Sequence, residues 1–194
     1  MNKTLMILAI AVLATGCSSV PGPDSKYSYK DQENTVNVTL SAPNLSNFHK
    51  PPINYSLAYI KVYDEKDVCE KKKVLFGEIY KQADPIGEIY VSKADRVKLG
   101  KLPVGKVVIQ SGFKVSGGGG GMTCDRYFQF TVKEDHVYEV EVRESRPLVI
   151  SCTVTISEQS SDGDYSMGLS DLKYSKTKGF LSQERDMSPI CDGD

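Results

Sequence analysis

The chain has 194 residues, with 24 basic and 25 acidic side chains, two histidines and no tryptophan. That length bounds it to one domain with a sizeable core, or one domain with an appendage. A formal net charge of −1 offers no basic surface for nucleic acid and no strong field for any other charged partner.

In chain order, Lys3 supplies a positive start and Leu5 to Leu13 form an almost unbroken apolar run, which leads through Ala14, Thr15 and Gly16 into Cys17. The run is far shorter than the roughly 20 residues a membrane-spanning helix needs, so residues 1–16 read as a cleaved export signal. Ala14-Thr15-Gly16-Cys17 resembles the lipobox of bacterial lipoproteins. The resemblance implies that Cys17 is acylated and becomes the new N-terminus, tying the chain to a membrane through lipid. Residues 17–33, with Pro21, Gly22 and Pro23 and no apolar period, read as a flexible tether with a root-mean-square span of roughly 20–25 Å. Ser18 follows the cysteine where inner-membrane lipoproteins carry Asp, so the resemblance places the protein at the outer membrane, facing the periplasm.

From Asn34 the period is two. Val36, Val38 and Leu40 alternate with polar residues, as do Ala58, Ile60 and Val62 with Tyr59, Lys61 and Tyr63, the pattern of half-buried strands. Further strands are expected at Val74–Tyr80, Glu88–Val91, Arg96–Leu99, Lys106–Val115, Thr123–Val132, Val137–Arg143, Leu148–Ile156 and Met167–Tyr174. Turn signals such as Lys133 to His136 and Asp162-Gly163 separate them. No dozen-residue window carries a helical stripe, so residues 34–176 are expected to form an all-β antiparallel sandwich, immunoglobulin- or transthyretin-like, followed by a polar tail at 177–194. Phe128, Phe130, Val132, Tyr138, Val140 and Val142 should line its core, with Gln129 on the opposite face.

Besides Cys17, the chain holds Cys69, Cys124, Cys152 and Cys191, an even set expected to be oxidised in an exported protein. Their wide spacing, the nearest two 28 residues apart, argues against a zinc site. If residues 123–132, 137–143 and 148–156 form a meander, Cys124 and Cys152 lie on strands flanking a third, about 9–10 Å apart and beyond bridging distance. The expected pairs are then Cys69 with Cys124 and Cys152 with Cys191, ahead of Cys69 with Cys152 and Cys124 with Cys191.

Few residues suggest chemistry. Gly117 to Gly121 leads into a strand without the lysine and hydroxyl of a phosphate loop, so it reads as a hairpin tip. His49 and His136 sit in a loop and a turn, with no nucleophile elbow in the chain, so no hydrolase triad is expected. Glu139 and Glu141 read as a solvated strand face. Asp162-Gly163-Asp164 and Asp192-Gly193-Asp194 lack the ligand spacing of a calcium loop, and Lys71, Lys72 and Lys73 read as edge protection. Asn37, Asn44 and Asn54 head glycosylation triplets that a bacterial envelope does not ordinarily use. Tyr59 and Tyr63, beside Lys61, are the candidate binding residues, an outward tyrosine patch able to stack on sugars or a protein.

Leu99-Gly100-Lys101-Leu102-Pro103-Val104-Gly105-Lys106-Val107-Val108-Ile109 resembles the strand, turn and strand of transthyretin-like and carboxypeptidase-regulatory-like sandwich domains. Phe128-Gln129-Phe130, a charged turn and Tyr138-Glu139-Val140 resemble the following hairpin in small sandwich lipoproteins of Gram-negative bacteria. These resemblances imply no catalytic motif and no cofactor. The expectation is therefore a non-catalytic, lipid-anchored envelope accessory, with a saccharide- or cell-wall-binding module as the alternative and an envelope protein or glycan as partner.

Overall fold

The structure is a computed structural model that describes residues 34–45, 53–75, 77–92, 97–117, 120–145, 151–160, 165–166, 172–177 and 185–192. Cys17, the tether, His49, Asn54's side chain and the Asp162 to Asp164 turn lie outside what is described. Fourteen strands and two helical turns follow one another among these residues. They are β1 Thr35–Ser41, β2 Ile53–Tyr63, α1 Glu65–Cys69, β3 Lys71–Val74, β4 Gly77–Tyr80, β5 Gly87–Ser92, β6 Val97–Pro103 and β7 Gly105–Gly117, then β8 Gly120–Val132, β9 His136–Ser145, β10 Ser151–Ser160, β11 Tyr165–Ser166, β12 Lys173–Tyr174, β13 Lys176–Thr177, β14 Arg185–Asp186 and α2 Ser188–Cys191.

The strands make the expected sandwich. One five-stranded sheet runs β11-β10-β9-β1-β6 and the other β12-β8-β7-β2-β5. Pairing is antiparallel throughout except between β1 and β9, which run parallel with Val38 opposite Tyr138. Alternation does the sorting: Val36, Val38, Leu40, Tyr138, Val140, Val142 and Ile156 of the first sheet face Ala58, Ile60, Val62, Val107, Ile109, Phe113, Phe128, Phe130 and Val132 of the second. The Phe130 and Tyr138 rings meet across this interior at 5.8 Å.

Those two aromatics come from facing sheets, which corrects the expected meander. After β8 the chain arches over Lys133 to Asp135 into the other sheet, where β9 pairs with β10 and β1 and not with β8. The Tyr138 hydroxyl fastens the arch by accepting from the Lys133 N–H at 2.9 Å. Likewise Pro103 to Gly105 carries β6 to the opposite sheet, with Gly105 at φ +103°, a conformation that L side chains rarely adopt.

The disulfides are corrected with the topology. Because β8 and β10 belong to opposite sheets, Cys124 and Cys152 face each other across the core and are bridged, with Cα atoms 5.9 Å apart. Cys69 pairs with Cys191, Cα atoms 5.3 Å apart. Neither expected pairing occurs; the one set aside does.

Two further expectations change. Val74–Tyr80 is no single strand but runs from the end of β3 into β4, which pair as a hairpin with Val74 opposite Gly77. Gln129 faces away from the core as expected, yet it is only 2% exposed, because α1 and the C-terminal segment form a partial third layer there. Asp64 caps α1 by accepting from the Lys66 N–H at 2.9 Å, and Glu65 accepts from Gln129 Nε2 at 2.9 Å and Lys106 Nζ at 2.8 Å. Under this layer Tyr63, Val68, Val108, Met187 and Ile190 form a second apolar cluster. The polar tail is thus drawn back onto the body through residues 185–192. None of the described helices is long and apolar enough to cross a membrane.

Candidate functional site

The outer face of the second sheet is built as a grid, because four neighbouring strands place their outward residues in register. One row is Tyr90 on β5, Tyr59 on β2, Gly112 on β7 and Asp125 on β8. The next is Glu88, Lys61, Gln110 and Tyr127. To one side lie Leu57, Lys114 and Thr123, and to the other Tyr63 and Val108.

Gly112 determines what the first row can do. A Cβ there would lie 2.0 Å from the Cys124 carbonyl oxygen and 2.6 Å from the Asp125 Cα, closer than atoms can approach. With no side chain between them, Tyr59 reaches across β7 and donates its hydroxyl to Asp125 Oδ2 at 2.6 Å. Gln110 Nε2 donates to the same oxygen at 3.0 Å, and Gln110 Oε1 accepts from the Tyr63 hydroxyl at 2.8 Å. The three donors form one chain ending on the Asp125 carboxylate. Lys61 pairs with Glu88 at 3.0 Å.

Tyr59 and Tyr63 therefore point outward, as alternation requires, but are covered, being only 4% and 5% exposed. Tyr59 packs against Tyr90, ring centroids 6.3 Å apart, and Tyr63 against Tyr127 at 5.7 Å. Burial raises the Tyr59 phenol well above its ordinary value, and the Asp125 carboxylate adds to this. Burial and then Tyr127 do the same at Tyr63, as burial and a hydrogen bond with Glu88 do at Tyr90. These phenols stay protonated at neutral pH, as hydrogen-bond donors and aromatic surface.

Above the grid, Gln82, Ala83, Asp84 and Pro85 form the outer wall of a cleft of about 500 Å³, floored by Tyr59, Tyr63, Tyr90, Gln110, Asp125 and Tyr127. Half-buried Lys114 lines it too, and makes no ion pair with a described residue. Aromatic faces, a carboxylate already holding two donors, and the Lys114 ammonium suit a polar ligand with an apolar face. Tyr90, Tyr127, Asp125 and Gln110 were not singled out from the sequence. Tyr90 and Asp125 flank Tyr59 only once strand register is known.

Other sequence candidates are placed elsewhere. Gly117 pairs with Gly120 at the β7–β8 tip. Glu141 pairs with Arg143, and Glu139 accepts from Ser41 at 3.2 Å, on the outer face of the first sheet. Asn44 is engaged twice by the Glu144 backbone, at 2.7 and 3.1 Å. Asp192 binds Lys71 and Tyr80, both at 2.9 Å. Among the described residues no three His, Cys, Asp or Glu side chains are grouped to share a metal. Compared with protein-family models, curated proteins and solved structures, the chain matches none.

Proposed function

We propose that this protein is a non-catalytic lipoprotein, acylated at Cys17 and held at the outer membrane facing the periplasm, whose working surface is the tyrosine cleft. The anchor rests on the lipobox resemblance. The binding role rests on the cleft, and chiefly on the Tyr63–Gln110–Asp125–Tyr59 chain that fixes its floor. A preorganised floor of this kind lowers the ordering cost of binding, and its ring faces, amide and ammonium match a saccharide with polar edges and an apolar face. A cell-wall glycan is accordingly the ligand class favoured, with an envelope protein as the other occupant.

Retention on cell-wall glycan fragments tests this. Tyr59→Ala and Tyr63→Ala would open the sheet's cover, so the informative changes are Tyr90→Ala, Lys114→Ala and Tyr59→Phe. Each is expected to lower retention about tenfold or more, equivalent to losing roughly 1.4 kcal/mol of binding. Undiminished retention in all three rules out the glycan reading.

A further inference from the structure

Among the described residues the β3–β4 hairpin pairs with no other strand, and an isolated two-stranded hairpin is marginal in water. Its base is nevertheless fastened on three sides. The Cys69–Cys191 bridge immediately precedes it, Lys71 and Tyr80 both grip Asp192, and the Lys81 N–H donates to the Glu70 carbonyl at 2.7 Å. Its far end is the reverse. Leu75 is 92% exposed, the highest value for any large apolar side chain described, and nearer the base Ile79 is 41% exposed. Lys72, opposite Ile79, and Lys73, opposite the exposed Glu78, are exposed and make no ion pair with a described residue, so the two lysines outnumber the one carboxylate of the arm beyond its base.

A rigidly mounted arm with an exposed leucine at its tip and two lysines on one strand fits one kind of partner. We infer that the β3–β4 hairpin is a membrane-contact arm, Leu75 entering the interface of a phospholipid bilayer with anionic headgroups while Lys72 and Lys73 pair with those headgroups. Protein interfaces are depleted in lysine, whereas lysines beside an exposed apolar side chain are what an anionic lipid interface attracts. The inference goes beyond the anchor at Cys17 and does not require it.

The absence of tryptophan from the chain provides the test. The full chain carrying Leu75→Trp is mixed with phosphatidylglycerol–phosphatidylethanolamine vesicles whose acyl chains are brominated. Emission at position 75 should shift to the blue and be quenched, while a Leu99→Trp chain, exposed on the first sheet, stays unquenched. Adding Lys72→Gln and Lys73→Gln to Leu75→Trp should raise the lipid concentration for half-maximal quenching roughly 30-fold, at about one charge's attraction per lysine. The inference is overturned if position 75 stays unquenched, if position 99 is quenched equally, or if the shift appears only on adding another envelope protein. Partition of the whole chain reports the lipid anchor and quenching at position 75 reports the arm, so either can fail alone.

Discussion

At the scale of single residues, Tyr59 and Gly112 carry the most information. With the native Tyr59 phenol raised and the unfolded one titrating near 10, stability contributed by this group is present below pH 10 and lost above it, as the unfolded chain releases a proton the native state keeps. Each such tyrosine adds a fall of about 1.4 kcal/mol per pH unit. Tyr59→Phe should therefore flatten the alkaline decline in urea-unfolding free energy by that slope, while costing about 2 kcal/mol at neutral pH through the lost bond to Asp125. An unchanged slope would mean Tyr59 ionises normally in the native state. Gly112→Ala places a methyl against the neighbouring strand's backbone and should cost about 3 kcal/mol. The outward direction of Tyr59 was legible from alternation. Its burial was not, because Tyr90 and Asp125, which pack against it, lie on other strands.

At the scale of elements, the C-terminal segment behaves as a clip. Asp192 is held below the ordinary carboxyl range by its hydrogen bond from Lys71 and then by Tyr80. The clip's contribution is thus present above pH about 4 and lost as pH falls through the depressed native value. Asp192→Asn should remove that acid dependence, read as release of α2 in the near-ultraviolet tyrosine dichroism. Removing the bridge with Cys69→Ser and Cys191→Ser should cost about 3–5 kcal/mol and let Tyr63 titrate closer to 10 by phenolate absorbance. Non-reducing peptide mapping should join Cys69 to Cys191 and Cys124 to Cys152; a peptide joining Cys69 to Cys124 would contradict the sandwich order. Signals for α1 were present in Asp64, Glu65 and Asp67. Five residues, however, are too few for a periodic stripe, and packing under α2 holds the turn in place.

For the whole molecule, the strands were readable because period-two alternation states which side chains meet the core. It does not state which sheet a strand joins. Phe128 and Phe130 against Tyr138 and Val140 look the same whether a three-residue link makes a hairpin or an arch between sheets, so the meander and the disulfides derived from it failed together. The envelope reading makes its own prediction: Cys17→Ser should leave an unprocessed precursor absent from the outer-membrane detergent fraction, and normal processing of that variant would end the reading.

The two bridges are nested, since Cys69–Cys191 encloses Cys124–Cys152, with partners 122 and 28 residues apart. In a chain exported N-terminus first with Cys17 acylated, as proposed, Cys69 would meet Cys124 as its earliest mate, and that mate is wrong. Correct closure requires Cys124 to be captured by Cys152 while Cys69 waits for nearly the last residue to emerge. Under the export proposed above, oxidation before Cys191 arrives would give a mispaired species that thiol–disulfide exchange must rescue, so yield should fall further in a strain lacking a disulfide isomerase than in one lacking an oxidant.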